Sequence, residues 1–245
     1  MHGEFRRIFG YALDFYLKRV ALVALFSIPF VVAVIIAHLI SAETYLAAGS
    51  LFLATGRIPE LSILDTVFTV IAYAVIMFII SGTIVNINIL VRSRRTMTDT
   101  TTEMLLSMKT YAMRIFYILT ISLLVMSVIQ LITYDNPLRT WLYPISMLIF
   151  FFFTSFSIPA VVIDNADTAT ALEHSARFAI HKPFMIIKWM LTLVVLLGIT
   201  MLFSYYTLSS PFWEYLVLLL NSLVFLPFML ILQTQIYMEK YPLAR

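Results

Sequence analysis

Residues 141–163 read WLYPISMLIFFFFTSFSIPAVVI, a run with no Lys, Arg, His, Asp or Glu. At about 1.5 Å of rise per residue, such a run is roughly 34 Å long as a helix, enough to cross a hydrocarbon layer of about 30 Å. A strand of a membrane barrel would be about ten residues of alternating polarity, and this run does not alternate. It therefore predicts a transmembrane helix. Working outward, comparable apolar runs lie at about 20–41, 62–91, 111–133, 184–206 and 213–237. Six spans predict an all-α polytopic membrane protein built as a single domain over residues 1–245. The run at 20–41 reads as a retained span and not a cleaved leader, because an amphipathic stretch of about 18 residues precedes it.

Composition agrees. The chain is 62% hydrophobic and 12% charged with a mean hydropathy of +0.97, whereas globular chains are about half apolar and about a quarter charged. The spans leave no room for a separate soluble catalytic domain. The absence of Cys removes disulfides, thiolate nucleophiles, cysteine-ligated zinc and iron–sulfur clusters. Only six glycines are present, and none builds a phosphate-cradling loop. His2, His38, His174 and His181 do not have the spacing of a zinc-binding helix. These features call for no metal and no cofactor.

An even number of spans puts both termini on one side. Fourteen of the 16 basic residues fall on the N-terminal segment, the inner ends of the spans with their second and fourth loops, and the C-terminus; only Arg57 and Arg139 fall on the other side. The positive-inside rule then predicts a multi-pass protein of the cell (cytoplasmic or inner) membrane with both termini cytoplasmic. A basic inner surface balances anionic lipid headgroups, so membrane lipids are the expected partners and no nucleic acid is required.

Before each odd-numbered span lies a stretch with apolar residues at helical spacing, which predicts three cytoplasmic amphipathic helices along the membrane surface. The first has Phe5, Ile8, Phe9, Ala12 and Phe15 on one face. The second sets Met104, Met108, Ala112 and Ile115 against Glu103, Ser107 and Arg114. In the third, Leu172, Ala176 and Ala179 oppose Glu173, Arg177 and Lys182. Thr100 with Glu103 and Thr170 with Glu173 have capping-box spacing. Each even-numbered span carries a helix breaker, Gly82, Pro159 or Pro227, as a candidate hinge. Polar residues follow each breaker: Asn86 and Asn88, then Asp164 and Asn165, then Gln233 and Gln235. Surface helix, span, short outer loop and broken span would thus form a unit used three times. Asn86, Asn88, Asp164, Gln233 and Gln235 would form a polar ring at the inner mouth of the bundle. A proline in a spanning helix is also tolerated wherever neighbouring helices satisfy the freed backbone groups, without any hinge.

The segment Ile158–Pro183, IPAVVIDNADTATALEHSARFAIHKP, places Asp164 and Asp167 one helical turn apart where the fourth span ends. Paired carboxylates there could hold Mg²⁺ against a lipid diphosphate. No second acid-rich cluster faces them, and Asp is a favoured residue at a helix start. The same segment resembles a group of six-span proteins that includes the membrane domain attached to some glycerophosphodiester phosphodiesterases and the YciC-like inner-membrane proteins. The matching residues are Pro159 and Ala160 at the span end, then Ala171, Leu172, Ser175 and Arg177 in the following helix. The resemblance implies a six-span architecture, with no residue role to carry over. The phosphodiesterase barrel of the two-domain members has no counterpart here.

The expected function is a non-enzymatic membrane subunit that assists transport or organises lipids, with protein partners docking on the cytoplasmic surface helices. Two alternatives remain open. One is a small-solute or lipid transporter using the polar ring, and the other is a Mg²⁺-dependent lipid-modifying enzyme using Asp164 and Asp167.

Overall fold

The computed structural model describes residues 2–39, 63–96, 100–133, 137–207, 216–217 and 219–239. In chain order the helices are α1 (His2–Lys18), α2 (Val20–Leu39), α3 (Ile63–Thr96), α4 (Thr100–Thr133), α5 (Arg139–Thr154), α6 (Ser157–Ile163), α7 (Thr168–His181), α8 (Pro183–Thr207) and α9 (Leu226–Met238), with a π-helical turn at Asn221–Phe225 leading into α9. No strand occurs among the described residues. Arg57 lies outside them, as do the side chains of His2, His38, Glu103, Ser107, Met104 and Arg139.

Five segments are long and apolar enough to cross a bilayer: Val70–Ser93, Met108–Thr133, Thr140–Ile163, Pro183–Thr200 and Asn221–Met238. The α1–α2 pair would make a sixth, and it is bent by 87° at Arg19. The architecture is that of a multi-pass helical membrane protein. Its densest core lies toward one end, where Ile87, Ile89 and Leu90 of α3, Val161 of α6, and Ile231, Leu232 and Ile236 of α9 are fully buried. Toward the other end α3, α4 and α8 expose Phe68, Ile71, Leu131, Ile132, Val194 and Leu202. Apolar side chains facing outward in this way need hydrocarbon around them.

The amphipathic face of α1 meets protein. Ile8, Ala12, Phe15 and Tyr16 are buried, and Phe9 and Tyr16 pack edge-on against Phe228 of α9, with ring centroids 5.5 and 6.1 Å apart. Arg7 also pairs with Glu239 just after α9. In α7 the buried residues are Ala171, Ser175, Phe178 and Ala179, a face rotated from the expected one because Leu172 and Ala176 are only half-buried. The second expected surface stretch is not a separate element. Residues 100–133 contain neither Gly nor Pro, nothing interrupts the backbone ladder, and α4 continues straight from that stretch into its span. The chain thus has two short helices set off from a following span where the sequence suggests three. Helix α7 begins at Thr168 with Asp167 at its N-cap, in keeping with the preference of Asp for a helix start and three residues ahead of the Thr170 of the capping-box spacing.

The three expected breakers behave differently. Helix α3 runs unbroken through Gly82, where the missing side chain admits the Met108 methyl of α4; a Cβ at Gly82 would lie 3.3 Å from it. Pro159 does accompany a break, at Ser155 and Phe156 between α5 and α6. A proline donates no amide hydrogen, so the carbonyl four residues earlier, that of Ser155, loses its helical partner. The Gln233 side-chain amide donates to it at 2.6 Å. Beside it, the Ser157 hydroxyl donates to the Thr154 carbonyl at 2.7 Å, and the Ser175 hydroxyl to the Phe153 carbonyl at 2.6 Å. At Pro227 the helix widens and does not break: the Leu226 amide reaches back to the Asn221 carbonyl, closing the π turn. The carbonyl opposite Pro227 is that of Leu223, and the Tyr16 hydroxyl donates to it at 3.2 Å.

Candidate functional site

The end of the bundle where α1, α7 and the last turn of α9 meet carries most of the polar chemistry. The α6–α7 connection, residues 164–167, is its centre. Asn165 sits at φ 53°, in the left-handed region that Asn tolerates better than most residues. That reversal sends Asp164 inward and Asp167 outward. The Asp164 carboxylate is only 6% exposed; one of its oxygens lies 2.9 Å from His174 Nδ1 and accepts from the Tyr237 hydroxyl at 2.6 Å. Asp167 is fully exposed at the N-cap of α7 with extended backbone. Its carboxyl is held below the usual carboxylate range chiefly by the Thr170 side chain, helped by the Thr170 and Asp167 amides and the positive charge of Arg114. The two carboxylates therefore do not share a site.

Two arginines close the turn from the side. Arg114 of α4 donates to the Asn165 carbonyl at 3.0 Å, to the Asn165 side-chain oxygen at 2.8 Å and to the Ala166 carbonyl at 3.2 Å. Arg92 of α3 donates to the Val162 carbonyl at 2.6 Å. These carbonyls belong to the last turn of α6 and the turn beyond it, where no helical donor follows. The sequence shows Arg92 and Arg114 only as inner charges, and their second role depends on partners 51 to 70 residues away.

The five residues of the expected ring divide. Asn88 is fully buried, donates to the Ile84 carbonyl at 2.8 Å and accepts from the Thr234 hydroxyl at 2.6 Å, joining α3 to α9. Gln233 joins α9 to the α5–α6 break, and Asp164 joins the turn to α7 and α9. Asn86 and Gln235 are half-buried. Of the residues that carried the expected resemblance, several lie at or beside the break. Ala160, Ala171 and Ser175 are fully buried, Pro159 frees the carbonyl that Gln233 takes, and Leu172 is half-buried. Arg177 faces outward and pairs with Glu173 at 2.6 Å. An aromatic group fills the space between: Phe156 stacks on Phe178 at 4.9 Å and meets Trp189 edge-on at 5.6 Å, while Phe178 lies 5.4 Å from Tyr237.

Two hollows adjoin this region. A cleft of about 330 Å³ on α7 is lined by His174, Arg177, Phe178, His181 and Lys182. A larger cavity of about 560 Å³ lies inside the bundle between α3, α4, α5, α6, α8 and α9. Its wall is mostly aliphatic and aromatic, including Ile84, Ile118, Phe151, Trp189, Leu193 and Met229. Six polar residues also line it: Ser122, Thr154, Ser155, Ser157, Asn221 and Gln233. Neither Ser155 nor Asn221 stood among the sequence candidates for a site, since a lone Ser or Asn in an apolar run carries no motif. Compared with known protein families, curated proteins and solved structures, the chain matches none.

Proposed function

We propose that this chain is a non-enzymatic subunit of the cell (cytoplasmic or inner) membrane, with both termini cytoplasmic, that organises lipids or a partner protein at its inner face. The observation that carries the reading is the way α7 is fixed. Asp164 with His174, Ser175 with the Phe153 carbonyl, and Arg114 with the preceding turn hold the helix against the bundle from three directions. Its outer side presents Arg177, His181 and Lys182 around the 330 Å³ cleft. A helix fixed in this way, with Arg177 paired to Glu173 and Lys182 at its end, suits an anionic lipid phosphate or an acidic segment of a partner at the level of the headgroups. The excess of Lys and Arg on the same set of segments supports the inward orientation, and the likeness to six-span membrane domains at Pro159, Ala160, Ala171, Leu172, Ser175 and Arg177 supports the architecture.

Native mass spectrometry of the full chain, extracted gently from its own membrane, tests this. The expected result is a retained anionic lipid or a protein partner, lost in Arg177→Glu with Lys182→Glu. Turnover of a substrate by the purified chain alone would overturn the non-enzymatic reading. The transporter reading is favoured by a different observation, the cavity inside the bundle. It predicts uptake into liposomes that Asn221→Leu, in the wall of that hollow, diminishes.

A further inference from the structure

Three of the residues lining the hollow between α3, α4, α5, α6, α8 and α9 each carry a buried polar atom with no hydrogen-bond partner: Ser155 Oγ, Gln233 Oε1 and Asn221 Oδ1. Gln233 is 2% exposed and Ser155 6% exposed. Each such atom, buried without a partner, is costly in a region that holds no bulk water. That all three belong to residues lining a single hollow, and are not scattered through the core, calls for an occupant that a small side-chain rotation would let them reach.

The polar atoms specify its chemistry. Gln233 has already used its amide nitrogen on the Ser155 carbonyl, so its free oxygen can only accept. The hydroxyl of Ser155, the residue whose carbonyl takes that amide, can donate. A ligand hydroxyl would satisfy both by donating to Gln233 Oε1 and accepting from Ser155 Oγ. An ammonium would bring a full charge into an apolar wall, and a carboxylate would face an acceptor. Filling with water fits poorly: at about 30 Å³ each, roughly 19 waters would occupy 560 Å³, and each seeks two to four polar partners. The wall is instead that of a small-molecule site, which is mainly apolar with a few placed polar groups in a volume of about 300–1,000 Å³. Asn221 stands twelve residues before Gln233 on the same helix, about 18 Å away along its axis. It opens the π turn, a feature often found at functional sites.

We infer that this cavity binds an apolar molecule bearing a neutral hydroxyl, with the hydroxyl held between Ser155 and Gln233 and the hydrocarbon body running toward Asn221. The binding does not depend on the subunit role proposed above. Two sources share this chemistry, a single-chain lipid alcohol and a two-chain glycerolipid with a free hydroxyl.

The test uses the full chain in phosphatidylcholine nanodiscs and three diazirine probes: a long-chain aliphatic alcohol, its methyl ether and a diacylglycerol, with the labelled residues mapped by peptide mass spectrometry. The alcohol is expected to label the cavity wall from Phe150 to Ile158 and from Asn221 to Gln233 at least tenfold more than the ether. Ser155→Ala removes the free hydroxyl while leaving the backbone bond to Gln233, and it should abolish most of that preference. Leu193→Phe fills the hollow and should reduce labelling by every probe. Retained elution volume and thermal midpoint show that both variants fold. Labelling by the diacylglycerol at the same residues assigns the site to glycerolipids, and labelling by the alcohol alone assigns it to single-chain alcohols. Equal labelling by alcohol and ether, or no labelling of the wall, overturns the inference.

Discussion

The side-chain amide of Gln233 donates at 2.6 Å to the main-chain carbonyl of Ser155, the carbonyl that Pro159 leaves without its helical donor. The two residues are 78 positions apart, and their bond makes the broken span tolerable inside the bundle. Proline and glutamine are therefore one device, and each should matter less when the other is changed. Gln233→Leu is expected to cost about 1–2 kcal/mol, above the roughly 0.6 kcal/mol average of interhelical bonds in membranes, because it leaves a buried carbonyl with no donor at all. Restoring the amide hydrogen with Pro159→Ala should cut that cost by about half or more. A double-mutant cycle from reversible unfolding in mixed micelles measures the coupling, and simple additivity would dissolve the pairing.

A parallel pairing exists at the other proline. The Tyr16 hydroxyl reaches the Leu223 carbonyl opposite Pro227 at 3.2 Å. This bond is longer and only part-buried, so Tyr16→Phe should cost about 0.5–1 kcal/mol. In the Pro227→Ala background the cost should shrink toward zero. The same unfolding assay reads both, and the Gln233 effect should exceed the Tyr16 effect.

Asp167 offers a pH signature. The unfolded carboxyl titrates near 3.9, and the folded one below it. A lowered folded value gives a stabilising contribution that is complete above the unfolded value and disappears as pH falls through the folded one. Helix α7 should therefore lose nothing from Asp167 between pH 7 and about pH 5. A carbon-13 titration of the Asp167 carboxyl in the solubilised full chain should find its midpoint below the usual range. Thr170→Val, which removes the main cause of the shift, should move it upward.

Gly82 is a packing position within an uninterrupted helix. A Cβ there meets only the end of the flexible Met108 side chain, which is 41% exposed and free to move. Gly82→Ala should change stability by less than about 1 kcal/mol, since the helix gains from losing a glycine about what the contact loses. Gly82→Ile should push α3 and α4 apart and cost about 1–3 kcal/mol. Thermal midpoints of the two variants give the comparison, and an alanine as damaging as the isoleucine would point to a bending role.

Apolar run length was enough to place five helices long and apolar enough to cross, while the run at 20–41 qualifies only together with α1 as a pair bent by 87°. Direction was harder to read. Asn88 and Gln233 looked like the lining of a mouth, yet both point into helix contacts whose partners, Thr234 and Ser155, are far away in sequence. The face of α7 was misjudged by one position because Ala is equally at home on either side of a small helix, and Ser175, polar by type, turned out to be fully buried. Neither the bend at Arg19 nor the continuity of α4 has a proline or glycine beside it, so helix breakers alone did not tell the two apart. The orphan atoms of the cavity could not be read at all, since being unpartnered is a property of the packed state.

The contact between α1 and α9 has a bearing on how the chain is made. Helix α1 leaves the ribosome well before α9, against which its buried face with Ile8, Ala12 and Phe15 packs, and Arg7 meets Glu239, 232 residues further on, only after that. Until α9 emerges, the oily side of α1 has no protein to rest on and must wait in the headgroup layer, for which its charged opposite side equips it. Helix α9 thus latches α1 across most of the described chain, and a product truncated ahead of α9 should leave α1 accessible to proteases and chaperones in a way the chain carrying α9 does not.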